Sequence, residues 1–399
     1  MYDVMKGIKV IEVAEHTFVP LAGMVMADWG ADVIKVERAQ GGDASRHIKL
    51  PGTDGSVNPY FEVGNRGKRS IALDLTQPEG REQLYRLLET ADVFLTNMRT
   101  DARCKLGIEA ETLMERFPRL IYARGTAYGL HGELADAGGF DYPSAWCRTG
   151  AAHLQTHSGE VPPWQPGSIG DMTGGMTLAG SIAAALFRRE RTGCGAVVDN
   201  ALLMMGTFLM SQSLLAVGIG APPFATRPQE TPILALTNNY RTRDGRWLNL
   251  CVLFDAWWPD LVAHLESPEL LDDVRFADGA GRHANRDALT AELNRIFARR
   301  DLEDWSNRLA TLKGVWSPVK TPEEALVDPQ SLVNGFISTV NGDNGITYQA
   351  AVSPAQFDQR PIGELRAGPR FGQHTDEVLR ELGLDDAQLA ELRARSAIL

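Results

Sequence analysis

The chain has 399 residues, with 40 Lys and Arg against 51 Asp and Glu, for a formal net charge of -11. That balance argues against a general nucleic-acid binder, which needs a basic face to neutralise phosphate. A composition of 44% hydrophobic and 23% charged residues excludes a disordered or fibrous class.

The length exceeds one ordinary core and implies more than one domain. The four cysteines (Cys104, Cys147, Cys194 and Cys251) form no CxxC pair, so neither a metal site nor a redox motif is expected. Scattered single cysteines suit a reducing cytoplasm. Met1 to Lys9 lacks the apolar run of a signal peptide. No apolar stretch reaches 18 residues, so no membrane span is expected.

In chain order, Ile8 to Val13 reads as a strand, Leu21 to Trp29 as a helix closed by Gly30, and Asp32 to Glu37 as a second strand. Ser70 to Leu73, Val93 to Thr96 and Leu120 to Ala123 are further strands, with a helix over Pro78 to Thr90. This alternation predicts βαβ units and a parallel sheet, an α/β fold. A Gly- and Pro-rich irregular stretch runs from Thr126 to Gly175, with helices predicted over Thr173 to Arg191 and Val197 to Val217. Ala201 to Gly220 is apolar but interrupted by Gly, Ser and Gln, and reads as a buried helix.

Pro222 to Pro232 reads as a linker. Beyond it, Leu234 to Tyr240 and Arg246 to Leu253 flank Arg-Asp-Gly, a hairpin signal. Helices follow at about Ala256–Leu265, Arg286–Arg299 and Leu302–Leu312, and Pro318 to Asp328 reads as a return linker. The expected organisation is a large domain over 1–221, a small α+β domain over 222–320, and a return to the large domain over 321–399. The tail carries a helix at about Thr375–Leu382 and a helical pattern from Asp385.

The first strand–helix turn reads AEHTFVPLAG and lacks the GxGxxG fingerprint of dinucleotide-binding sheets. There is no G-x-S-x-G elbow and no P-loop. Asn65, Arg66, Lys68 and Arg69 form a basic cluster, either a charged strand edge or a phosphate site; in an acidic chain the phosphate reading is favoured. Asp171 lies in GSIGDMTGG ahead of the predicted helix. It suits an N-cap, and equally a carboxylate nucleophile kept ionised by the helix dipole and free amides.

These stretches together resemble the class III CoA-transferases, the formyl-CoA transferase or carnitine CoA-transferase family. The resemblance rests on GIKVIEV at 7–13, GADVIKVER at 30–38, GGDASR at 41–46, NRGKRSIALDL at 65–75, ADVFLTN at 91–97, KLG at 105–107, GGFDY at 138–142, GD at 170–171 and HTDEVLRELG at 374–383. It implies a Rossmann-like large domain built from both ends of the chain, a small domain from the middle, and an interlocked homodimer.

The same resemblance makes Asp171 the catalytic aspartate and places Thr17, Phe18, Arg38, Leu73, Asp74, Leu75, Thr76, Asn97, Met98 and Lys105 at CoA contacts. Thr17 and Phe18 fall on the first-turn contact, where relatives can carry Gln and this sequence departs, and Lys105 stands where Arg is frequent. Coenzyme A and acyl-CoA are implied as substrates, with a small carboxylic acid as the other partner and no permanently bound cofactor or metal. Oxyanions recur in that chemistry, so amides of Gly138, Gly139, Gly174 and Gly175 are candidate donors.

The racemase branch of the same family carries His immediately before the acid of GGFDY. Phe140 stands there and cannot move a proton, which favours transfer over racemisation. Asp141 is a candidate substrate contact or loop-ordering residue. Phe140, Tyr142, Trp146 and Trp164 read either as an apolar acyl pocket or as loop packing. An acyl-CoA hydrolase, in which water takes the acyl-enzyme, or a CoA-thioester binding protein is the other alternative.

Overall fold

The computed structural model describes residues 2–53, 55–157, 159–342 and 345–399. They divide into two compact units. The first comprises the chain up to His153, Pro163–Pro223 and Asp328–Leu399; the second comprises Leu154–Pro162 and Phe224–Val327.

The first unit is built on six parallel strands: β1 (Lys9–Val13), β2 (Asp32–Arg38), β3 (Arg69–Leu73), β4 (Val93–Thr96), β5 (Ile121–Thr126) and β6 (Ala196–Ala201). Their order is β3-β2-β1-β4-β5-β6, with Lys9 opposite Asp32, Val10 opposite Val93 and Ile121 opposite Ala196. The chain winds outward from β1 to β3 and then crosses back to β4. Such a reversal opens a crevice at the carboxyl ends of the strands, where ligands bind in sheets of this kind.

Helix α1 (Phe18–Asp28) follows β1, and every one of its residues is buried. A helix apolar all round belongs inside a core. Helices α2 (Pro59–Asn65), α3 (Pro78–Leu88), α4 (Thr100–Leu106), α5 (Ala110–Arg116) and α6 (Ala151–Leu154) are short, and α7 (Ile169–Thr192) is the long one. Gly193, with φ 75°, ends α7 and turns the chain into β6. Because β6 runs parallel to the other strands, α7 must start at the carboxyl edge of the sheet.

Two expectations are corrected here. Helix α7 begins at Ile169, four residues before the predicted Thr173, so Asp171 lies inside its first turn. The predicted helix over Val197 to Val217 is instead strand β6 followed by α8 (Leu202–Leu209) and α9 (Ser211–Gly218). Its β-branched start, AVVDNA, pairs along β5 as the edge strand. Nor is the apolar stretch buried: Met204, Phe208, Leu215 and Ile219 are exposed.

The second unit carries the expected hairpin, with β7 (Thr237–Arg241) antiparallel to β8 (Trp247–Cys251), and adds β9 (Val315–Pro318). Its core gathers Tyr240, Leu250, Trp258, Phe297 and Trp305. From Asp328 the chain rejoins the first unit through β10 (Ile337–Asn341), β11 (Thr347–Ala351) and β12 (Leu365–Arg366). The final helices, Thr375–Glu381 and Asp386–Ala394, dock on β3, where Thr375 Oγ1 accepts from the Ala72 amide at 3.0 Å. Among the described residues no helix is long and apolar enough to cross a membrane.

Candidate active site

Asp171 is the third residue of α7, half-buried, at the carboxyl edge of the sheet. It is not the helix cap; Ser168 holds the N-cap position without a side-chain hydrogen bond. The first-turn amides are satisfied from thirty residues upstream. Both carboxylate oxygens of Asp141 accept from the Gly170 amide at 3.1 Å, and Oδ2 also accepts from the Asp171 amide at 3.2 Å. Gly170 is required by this approach, since a Cβ there would lie 2.2 Å from Asp141 Oδ1.

The electrostatic consequence reverses an expectation. The first-turn amides serve Asp141 and do not solvate the Asp171 carboxylate. Burial first, and the neighbouring Asp141 charge second, push the Asp171 carboxyl up to about 7. A carboxyl that titrates near neutrality can act as an ionised nucleophile at and above pH 7 and stays largely protonated below.

Gly174 and Gly175 allow α1 and α7 to approach. A Cβ on Gly174 would lie 2.5 Å from the Phe18 ring, and one on Gly175 would lie 2.6 Å from Leu21 Cβ. Both glycines are buried within the helix, where amides beyond the first turn are committed to the helical ladder. They are therefore packing residues, and no free amide is available there for an oxyanion. Gly138 is exposed and Gly139 half-buried in the loop before Phe140, and neither amide has a partner among the described residues.

Phe18, an expected CoA contact, is buried between β5 and α7; a Cβ on Gly125 would come within 2.6 Å of its ring. Its side chain packs under α7 at Gly174 and is not part of the surface. Thr17 precedes it, half-buried, and its hydroxyl makes no cap bond.

The other expected CoA positions separate into two groups. Arg38, Leu73, Asp74, Leu75, Thr76 and Met98 line one cleft of about 130 Å³ over the ends of β1 to β4. Arg38 is mostly exposed and pairs with Glu15 at 2.8 Å. Asn97 instead braces the β1–α1 turn: its Oδ1 accepts from the Glu15 amide at 3.0 Å and its Nδ2 donates to the Glu15 carbonyl at 2.6 Å. Lys105 is exposed on α4, next to Leu106, which lines the cleft. A larger cavity of about 630 Å³, bounded by Arg46, Glu62, Tyr348 and His374, is lined by Lys68 and Arg69 of the basic cluster but by none of the expected CoA contacts.

The basic cluster before β3 is not a phosphate site. Lys68 is buried against Glu12 at 2.7 Å, Arg66 pairs with Asp28 at 2.8 Å, and Arg69 pairs with Asp32 at 2.6 Å and Glu381 at 2.7 Å. Glu37, at the end of β2, is equally occupied, accepting from Arg46 at 2.7 Å and Ser70 Oγ at 2.5 Å. The counter-charges come from remote parts of the chain, so the sequence cluster gave no hint of them.

A π-helical turn, Tyr142–Cys147, follows Asp141. Such turns are frequent at functional sites. The Tyr142 and Trp164 rings lie 3.9 Å apart, and Trp146 Nε1 donates to the Pro163 carbonyl at 3.0 Å. Phe140 and Trp164 remain largely exposed.

The sequence model of CoA-transferase family III matches residues 5–375. The chain belongs to CoA-transferase family III. It is 30% identical over 390 residues to the (R)-2-hydroxy-4-methylpentanoate CoA-transferase of Clostridioides difficile, covering 96% of this chain and 97% of that protein. It is 28% identical over 409 residues to the cinnamoyl-CoA:phenyllactate CoA-transferase of Clostridium sporogenes, covering 100% and 98%. The crystal structure of a CAIB/BAIF family protein from Brucella suis superposes with TM-score 0.82 at 30% identity, covering 95% of this chain and 99% of that one. The chain is thus a class III CoA-transferase, whose substrates are CoA thioesters and carboxylic acids.

Two features of this family III site escaped the sequence. His16 has a left-handed backbone, φ 66°, and its ring meets Phe140 edge-on at 5.5 Å. Asn200, buried at the end of β6, donates to the Gly174 carbonyl at 3.3 Å. The left-handed turn could have been suspected from a strand–helix junction without glycine. Nothing in the sequence marks Asn200.

Proposed function

We propose that this family III enzyme moves CoA from an acyl-CoA to an apolar carboxylic acid through covalent intermediates on Asp171. The observation that carries the reading is a carboxyl raised to about 7 at the N-terminal turn of α7, held there by Asp141. The ionised Asp171 carboxylate attacks the thioester carbonyl, expelling CoA thiolate and forming a mixed anhydride. The thiolate attacks the Asp171 carbonyl of that anhydride, releasing the donor acid and leaving an aspartyl-CoA thioester. The acceptor carboxylate attacks this thioester, expels thiolate again and forms a second anhydride. Attack of the thiolate on the acceptor's acyl carbonyl gives the new acyl-CoA and restores Asp171.

CoA lies in the cleft of Arg38, Leu73–Thr76 and Met98, with Lys105 and Thr17 at its margins, so that binding far from the reaction positions the thioester. The unpartnered amides of Gly138 and Gly139 are the donors for the oxyanions. Phe140 and the Tyr142–Trp164 pair form an apolar wall for the acid. That fits the branched and aryl acids in the names of the two relatives.

The first unit is the Rossmann-like CoA-binding domain. The working protein is a homodimer in the cytoplasm, a reading supported by the exposed apolar residues of α8 and α9 and by four free cysteines. The test is trapping with hydroxylamine after incubation with branched and aryl acyl-CoAs, followed by peptide mass spectrometry. A hydroxamate on Asp171, absent from Asp171→Ala, is expected. Turnover without any adduct on Asp171 would overturn the reading.

A further inference from the structure

The β1–α1 turn has no glycine, yet its backbone is fixed group by group from other elements. Lys35 Nζ donates to the Ala14 carbonyl at 2.7 Å, Asn97 clamps both polar groups of Glu15, and Asp43 Oδ1 accepts from the His16 amide at 3.1 Å. Asp43 is held in turn by Lys35 at 2.8 Å, and Lys35 also meets Glu12 at 3.1 Å. Glu12 binds Lys68, which donates to Asn65 Oδ1 at 3.0 Å and to the Pro20 carbonyl at 2.8 Å. Glu12, Lys35, Asp43 and Lys68 are all buried.

A buried ionic cluster is weak support for stability, because apolar residues of the same volume often do as well. What this cluster does provide is geometry. It holds a non-glycine residue at φ 66°, a left-handed conformation that is strained for an ordinary side chain. The side chain so directed is the His16 ring, set at 90° against Phe140. Phe140 is largely exposed and immediately precedes Asp141, the residue that caps α7 beneath Asp171.

We infer that His16 is a positioning residue, held by the Glu12–Lys35–Asp43–Lys68 cluster, which fixes Phe140 and through it the Gly138–Asp141 segment over Asp171. The inference rests on the transfer reading for its chemistry but not on the covalent intermediate. His16 acts by contact, and its imidazole exchanges no proton with substrate.

The experiment is a double-mutant cycle on transfer rate with His16→Gly, Phe140→Ala and the double variant. Glycine adopts φ 66° without strain, so folding is retained; His16→Asn, also tolerant of this conformation, is the second variant. His16→Gly is expected to lower kcat roughly tenfold while leaving KM for the acyl-CoA within about twofold. The double variant is expected to be no slower than Phe140→Ala alone, because residues acting through one another are non-additive. His16→Asn, which accepts this backbone but lacks the ring, is expected to be as slow as His16→Gly, with a pH profile unchanged from the parent.

Additive losses in the double variant would overturn the inference. So would a His16→Gly variant whose kcat stays within about twofold of the parent. The cycle is read on transfer rate, so it stands or falls separately from the hydroxylamine result.

Discussion

Asp141 accepts the Asp171 amide at 3.2 Å while its own charge opposes ionisation of the Asp171 carboxyl. One residue therefore both places the proposed nucleophile and adds to the burial that raises its titration point. The capture rate of an acyl group on Asp171 should rise with pH through about 7 and level off above it. In Asp141→Asn the amide oxygen can still accept from the helix, but the charge is gone. The midpoint should move to lower pH, with burial, the larger cause, keeping it above an ordinary aspartate. Single-turnover trapping across pH 5–9 reads both curves, and a midpoint unmoved by Asp141→Asn would contradict the electrostatic role.

The same raised carboxyl makes a stability prediction. A carboxyl raised in the folded state favours folding while both states are protonated, below the unfolded value of about 3.9. That contribution is lost as pH rises through about 7. Asp171→Asn removes the group, so relative to the parent it should gain stability between pH 4 and pH 7. The gain should be about 2 kcal/mol, after allowing for relaxation and partial exposure. Urea unfolding of both proteins at pH 4.5 and pH 8 measures it. Equal differences at the two pH values would exclude the linkage.

Gly174 faces Phe18 with no room for a methyl group, since a Cβ would stand 2.5 Å from the ring. Gly174→Ala should destabilise the protein by about 1–3 kcal/mol through overpacking. Adding Phe18→Leu should return part of that loss, because the clash is with the ring edge. Calorimetric melting of the single and double variants checks this pair. Hydroxylamine trapping in the double variant then shows whether the first turn of α7 has kept its shape.

Arg38 stands at the rim of the cleft with most of its side chain in solvent. Its pair with Glu15 is an exposed one, worth about 0–1 kcal/mol, so Arg38→Ala should leave the melting temperature nearly unchanged. If it holds a CoA phosphate, KM for the acyl-CoA should rise roughly tenfold with kcat unaltered, corresponding to a charge-assisted contact of about 1.4 kcal/mol. Steady-state kinetics with donor varied at saturating acceptor is the measurement. A change confined to kcat would remove Arg38 from the CoA site.

The strands of the first sheet were legible because their apolar runs are short and bounded by turn residues, and each of β1 to β5 falls within a few residues of its expected place. Helix α7 was legible from its apolar body but not from its start. IGDMTGG is rich in glycine, which local propensity places outside a helix; the cap that completes this turn comes from Asp141. β6 was hidden because its six residues run straight into the apolar helix α8, and only pairing with β5 separates strand from helix.

By itself, the sequence determined the α/β class, the family, and Asp171 as the residue of interest, because each is carried by contiguous residues. Tertiary structure decided which charges are free. Arg66, Lys68 and Arg69 are adjacent in sequence and look like a phosphate site, but acids as remote as Glu381 neutralise them. It also decided the chemistry of Asp171, whose ionisation depends on burial and on a carboxylate thirty residues away. Electrostatic energies depend on distances through space and on exclusion of water, and neither is written along the chain.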